Sequence, residues 1–257
     1  MKWVRNLLAT ALLVALSGCA PVADSAAQFT IWASSQEFVA SVESDPMSDE
    51  SVSSSVHVHV VIDGAITDDQ LTALASSAWA QAGEFGASDP QINFIVGNAW
   101  GFSLDEAGVH VAAVNALRAV PSFVAGTVEY RPLSATSAVP AGVHAIVGSQ
   151  AALRGAYDIV VAAVVDAGGS VDGVPITAST ANGAFTILGT GTQQPLTAIG
   201  LWQSISGRIL ISAANATLTS TGTENLEITV TSAEDRATAE AIATDFPDVA
   251  LTVTVTA

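Results

Sequence analysis

Few side chains in this sequence are spaced for chemistry, and the clearest are two histidines. His57 and His59 alternate within residues 56–62 (VHVHVVI). Alternate residues of an extended strand share a face, which sets the two imidazoles ~6.5–7 Å apart along it. Such a pair can hold zinc or copper if a third ligand arrives from elsewhere. The competing expectation is that the two rings are simply the polar face of the strand. His110 and His144, the other histidines, have no partner near them in sequence. Asp63, Asp68 and Asp69 cluster where a helix should begin. Carboxylates there can ligate calcium, but no D-x-[DN]-x-[DN]-G loop follows, and the helix dipole already accounts for them.

Nucleophiles and phosphate cradles are poorly supported. Ser149 lies in Gly148-Ser149-Gln150-Ala151, which lacks the second glycine of a nucleophile elbow. Gly189-Thr190-Gly191-Thr192 fits neither glycine-rich phosphate motif. Trp79, Trp100 and Trp202 read as packing residues. Trp100 follows Gly97-Asn98-Ala99, an expected loop, and is the aromatic side chain best placed for a ligand contact. No cofactor is expected, and no catalytic set emerges.

The N-terminus is more informative. Lys2 and Arg5 precede an apolar run over residues 7–16, followed by small residues. This is the layout of a secretory signal, and its apolar run is shorter than the ~20 residues of a stable transmembrane helix. Leu16-Ser17-Gly18-Cys19 resembles the lipobox of bacterial lipoproteins. The resemblance covers only this leader. It implies cleavage before Cys19, the sole cysteine, diacylglycerol on its sulfur, and a location on the extracytoplasmic side of a membrane. Each CH₂ buried in the bilayer contributes ~0.8 kcal/mol, so two or more acyl chains make a stable anchor.

Charge narrows the partners. Lys2 and Arg5 are two of seven basic residues, and all 24 acidic residues follow Cys19. The chain beyond the lipobox therefore carries five arginines, no lysine and a net charge of −19. Nucleic acid needs several cations on one surface and is not an expected partner. The membrane is expected to be engaged through lipid on Cys19 rather than through basic residues. A partner protein of the envelope, a cell-wall component or a small ligand remains.

The elements that would position these residues recur. Strands of alternating polarity are predicted to start at 56, 143 and 226, each followed by a helix and a closing strand. Thr67 with Gln70 forms a capping-box sequence, and Ser149 and Ser232 are expected N-caps. The predicted fold class is α+β: three repeated ferredoxin-like αββαβ units, with helices packed on one face of the sheet. The expected divisions are a signal peptide (1–18), a lipid-anchored linker with a short helix or strand (19–55), and repeats at 56–108, 109–190 and 195–257. The functional expectation is a membrane-anchored, non-enzymatic binding or structural protein. The alternatives are a metal-binding lipoprotein using His57 and His59, and a hydrolase whose site is assembled from scattered residues.

Overall fold

The computed structural model describes residues 25–44, 57–87, 90–129 and 142–256. Leu16, Ser17, Gly18 and Cys19 lie outside them, as does the Ser- and acid-rich stretch 45–56. Helix α1 (Ser25–Ser34) leads into strands β1 (Val39–Ser44) and β2 (His57–Ile62). The same helix-then-hairpin step follows as α2 (Asp68–Glu84), β3 (Gln91–Val96) and β4 (Trp100–Ser103). It returns as α3 (Val109–Arg118), β5 (Phe123–Val128) and β6 (Val143–Val147), then as α4 (Gln150–Asp166), β7 (Pro175–Thr180) and β8 (Phe185–Thr190). Helix α5 (Leu196–Ser206) precedes β9 (Ala213–Leu218) and β10 (Glu224–Val230), and α6 (Ala233–Ala243) precedes the last strand, β11 (Val249–Val255). Residues 25–44, expected within the linker, thus supply a helix and a strand of the folded body.

Among the described residues eleven strands form one mixed sheet, and their spatial order is their chain order. Strands joined by a hairpin are antiparallel, and strands joined by a helix are parallel and adjacent, as in Val60 opposite Phe94. This corrects the expected topology. A ferredoxin-like unit inserts a strand between the parallel pair, and none is inserted here. The sequence of helices and strands is compatible with both arrangements. Direct pairing follows because Val58, Val60 and Ile62 of β2 and Ile92, Phe94 and Val96 of β3 lie buried together beneath Leu71, Ala75 and Ala78 of α2. The sheet also runs unbroken across the expected boundaries at 108/109 and 190/195, through the β4–β5 and β8–β9 pairs.

Local signals explain the helix starts. The Thr67 hydroxyl accepts a bond from the Gln70 amide (3.3 Å), and the Gln70 side-chain oxygen accepts one from the Thr67 amide (3.0 Å), completing the capping box. Ser232 caps α6 through the Asp235 amide at 3.0 Å. Ser149 occupies the N-cap position of α4 without such a bond.

The helices form a single layer. The Ser25 hydroxyl donates to the Phe85 carbonyl at the end of α2, Arg118 of α3 pairs with Asp68 of α2 at 3.3 Å, and Arg154 of α4 donates to Gln203 of α5 at 2.7 Å. Helices α3 and α4, and α5 and α6, pack on each other directly. Successive β–α–β units run in opposite directions yet advance the same way across the sheet. Helices sharing one face must therefore cross with alternating hand: α2, α4 and α6 with one, α3 and α5 with the other. Right-handed crossovers are about 98% of known cases, so this is a departure from a strong rule. Polarity accounts for it. Val143, Ala145 and Val147 of β6 and Leu226, Ile228 and Val230 of β10 point into the helix layer. The opposite face carries His144, Thr177, Asn215 and Glu227, which give a helix no apolar surface to cover.

Candidate functional site

The turn from β4 into α3 builds a site that the sequence reading did not single out. Gly108 precedes α3 with a left-handed backbone (φ 70°) and has no side chain to cap the helix. Asp105 takes over that role. Its carboxylate oxygens accept bonds from the amides of Val109 (2.9 Å) and His110 (3.0 Å). His110 is held on the same turn: Nδ1 lies 2.8 Å from the Ser103 carbonyl oxygen and 3.5 Å from Asp105 Oδ1. A bond from Nδ1–H to that carbonyl leaves Nε2 as the imidazole's accepting atom. The Ser103 hydroxyl is within reach of the Glu129 carbonyl at 2.7 Å and of the Asn93 side-chain oxygen.

These groups line a cleft of about 540 Å³ at one end of the helix layer, walled by Trp79 of α2, His110 of α3 and Val164 of α4. Among the described residues its charged lining is Asp105, Glu106 and Glu129, with His110 the only basic side chain. A smaller hollow of about 240 Å³ between α2 and α3 shares Trp79, Leu104, Asp105 and Glu106 with it. The combination suits a cationic or hydrogen-bonding ligand. It contains the residue types of a Ser–His–Asp hydrolase, but the hydroxyl bonds a main-chain carbonyl instead of the imidazole, and the carboxylate is taken up by two helix amides. The signal that points here is Asp105-Glu106-Ala107-Gly108 before an apolar helical run, a helix-start pattern.

The residues singled out from sequence are dispersed. His57 and His59 do share a face of β2, the one turned away from the helices; His59 is buried and sits opposite Glu43 and Asn93 in the neighbouring strands. Among the described residues, no group of three or more His, Cys, Asp or Glu side chains is arranged to hold a metal ion. Residues 97–99 form the expected turn, and Trp100 opens β4 directly after it. It is 8% exposed and its ring covers Gly126, where a Cβ would approach the ring to 2.9 Å. Its aromatic face is thus used in packing, a role set by the glycine across the strand pair. His144 lies on the polar face, its Nε2 2.9 Å from the Ser179 hydroxyl, and burial pushes its pKa below the ordinary value. Tyr157 is buried beneath α4, donating toward the carbonyls of Gly191 (3.0 Å) and Gln193 (3.1 Å), and burial with the nearby Asp158 charge raises its pKa to about 12.

No helix among the described residues is long and apolar enough to cross a membrane. Comparison with protein-family models, with curated proteins and with solved structures finds no match.

Proposed function

We propose that this chain is a lipid-anchored protein of a bacterial cell envelope that binds a ligand or partner on the extracytoplasmic side and is not an enzyme. The lipobox-like Leu16-Ser17-Gly18-Cys19 carries the reading. Ser25, the first residue of α1, lies six residues beyond Cys19. At ~3.3–3.6 Å per residue, that tether spans at most ~20 Å, which keeps the body at the membrane surface. The cleft supports binding over hydrolysis, because Asp105 and Ser103 are committed to main-chain partners while Glu106, Glu129 and the second nitrogen of His110 remain available to a ligand. The partner classes that fit are an envelope protein, a cell-wall component or a small molecule, reached without cofactor or nucleic acid.

The body reads as a tandem array from duplication. Helices begin at residues 25, 68, 109, 150, 196 and 233, a spacing of about 40 residues, typical of repeat proteins. The period of the sequence pattern, near twice that, spans two such steps.

Mass spectrometry of the chain made in a bacterial host tests the anchor. The expected product starts at Cys19 and carries diacylglycerol, and Cys19→Ser moves it out of the membrane fraction or leaves it unprocessed. An unmodified thiol at residue 19, or membrane retention of a processed Cys19→Ser chain, overturns the reading.

A further inference from the structure

The helix layer opens between α4 and α5. Helices α4 and α5 are bridged by a bond from Arg154 to Gln203, and beneath that bridge lies a slot of about 510 Å³, within the ~300–1,000 Å³ typical of small-molecule sites. Leu153, Ile187, Ile199 and Trp202 form its floor and walls. Trp202 is fixed by stacking on Phe185, with ring centroids 5.5 Å apart and planes within 3° of parallel. Among the described residues no Asp or Glu lines the slot, and its one charged side chain is Arg154.

That arginine differs from its counterparts. Arg118 and Arg236 are each paired with a carboxylate, Asp68 and Glu240 respectively. Arg154 is held by a neutral amide, so its charge is oriented but not neutralised. The first turn of α4 and the last turn of α5 both border the opening, so their opposite dipole ends largely offset, and the guanidinium decides the sign of the site.

We propose that this slot binds a small anionic amphiphile, with its carboxylate on Arg154 in place of Gln203 and its apolar body over Ile187 and Trp202. A guanidinium presents a planar fork to a carboxylate, and the bond is charge-assisted. The inference deepens the reading of the chain as a binding protein and is independent of its lipid anchor.

The test is calorimetric titration of octanoate and octylammonium into the lipidated full chain, held in nanodiscs of zwitterionic phosphatidylcholine, with empty nanodiscs subtracted. Octanoate is expected to bind one per chain and octylammonium to bind far more weakly. Arg154→Gln should weaken octanoate at least about tenfold, the loss of one charge-assisted bond. Ala151→Trp, an exposed lining position, should fill the slot and abolish binding while the unfolding temperature stays unchanged. Equal binding of both ions, no binding of either, or octanoate binding that survives Ala151→Trp overturns the proposal. A diacylated chain that ignores octanoate refutes the slot alone; a chain without lipid that binds octanoate refutes the anchor alone.

Discussion

Two clefts of this molecule are built on opposite ends of one helix and have opposite character. Val164, near the end of α4, helps wall a cleft lined by Asp105, Glu106 and Glu129; Gln150 to Arg154, at its start, border a slot with an apolar floor and a single cation. In the first, polar groups are spent on holding the backbone: Asp105 caps α3 and Ser103 bonds the Glu129 carbonyl. In the second, Ser206 bonds the Trp202 carbonyl at 2.8 Å, while Arg154 spans the gap to Gln203. The difference teaches that a constellation of chemically capable residues can be structural, while an inconspicuous arginine over packed aliphatics is better placed to meet a ligand.

The largest effect expected on this contrast comes from Leu153, which is 1% exposed and forms part of the slot floor. Leu153→Ala should cost about 2–5 kcal/mol in guanidinium unfolding, since the site cannot collapse fully around the lost side chain. A cost below about 1 kcal/mol would mean that the floor is not the close-packed surface described here. Next comes Asp105→Ala, which removes the cap of α3 and should cost about 0.5–2 kcal/mol. It should leave octanoate affinity unchanged. If affinity moves, the two clefts communicate through α4 and are not independent sites.

The smallest effect belongs to neither cleft. His144 sits on the polar face of the sheet, where burial lowers its pKa from the ordinary 6.5. The folded form therefore binds fewer protons than the unfolded chain below that pH. The resulting stability is complete above pH 6.5 and declines as pH falls through the lower, folded value. His144→Gln should flatten this part of the stability curve between pH 7 and pH 5. A steeper decline in the variant would contradict the burial assigned to the ring.

Much of the architecture was legible because it is written in alternation and caps. The pattern of β6, with Val143, Ala145 and Val147 inward, is plain in VHAIV, and Thr67 with Gln70 announces the start of α2. Strand order was not legible, because a helix–strand–strand–helix–strand series fits both a split and a direct parallel pair. The alternating crossover hand was illegible too, since it follows from all helices seeking the one apolar face. That Trp100 packs on Gly126 was not legible locally, because the glycine comes from another strand. Arg154 and Gln203 are 49 residues apart in sequence, and nothing local marks them as neighbours across a gap.

A sheet whose spatial order equals its chain order never waits for a distant segment. Every strand pairs only with its predecessor and its successor. A chain emerging from its N-terminus, whether from a ribosome or a secretion channel, can dock each β–α–β step on the one already formed, and short-range contacts of this kind favour rapid folding. Growth then proceeds from β1 outward, one strand pair at a time.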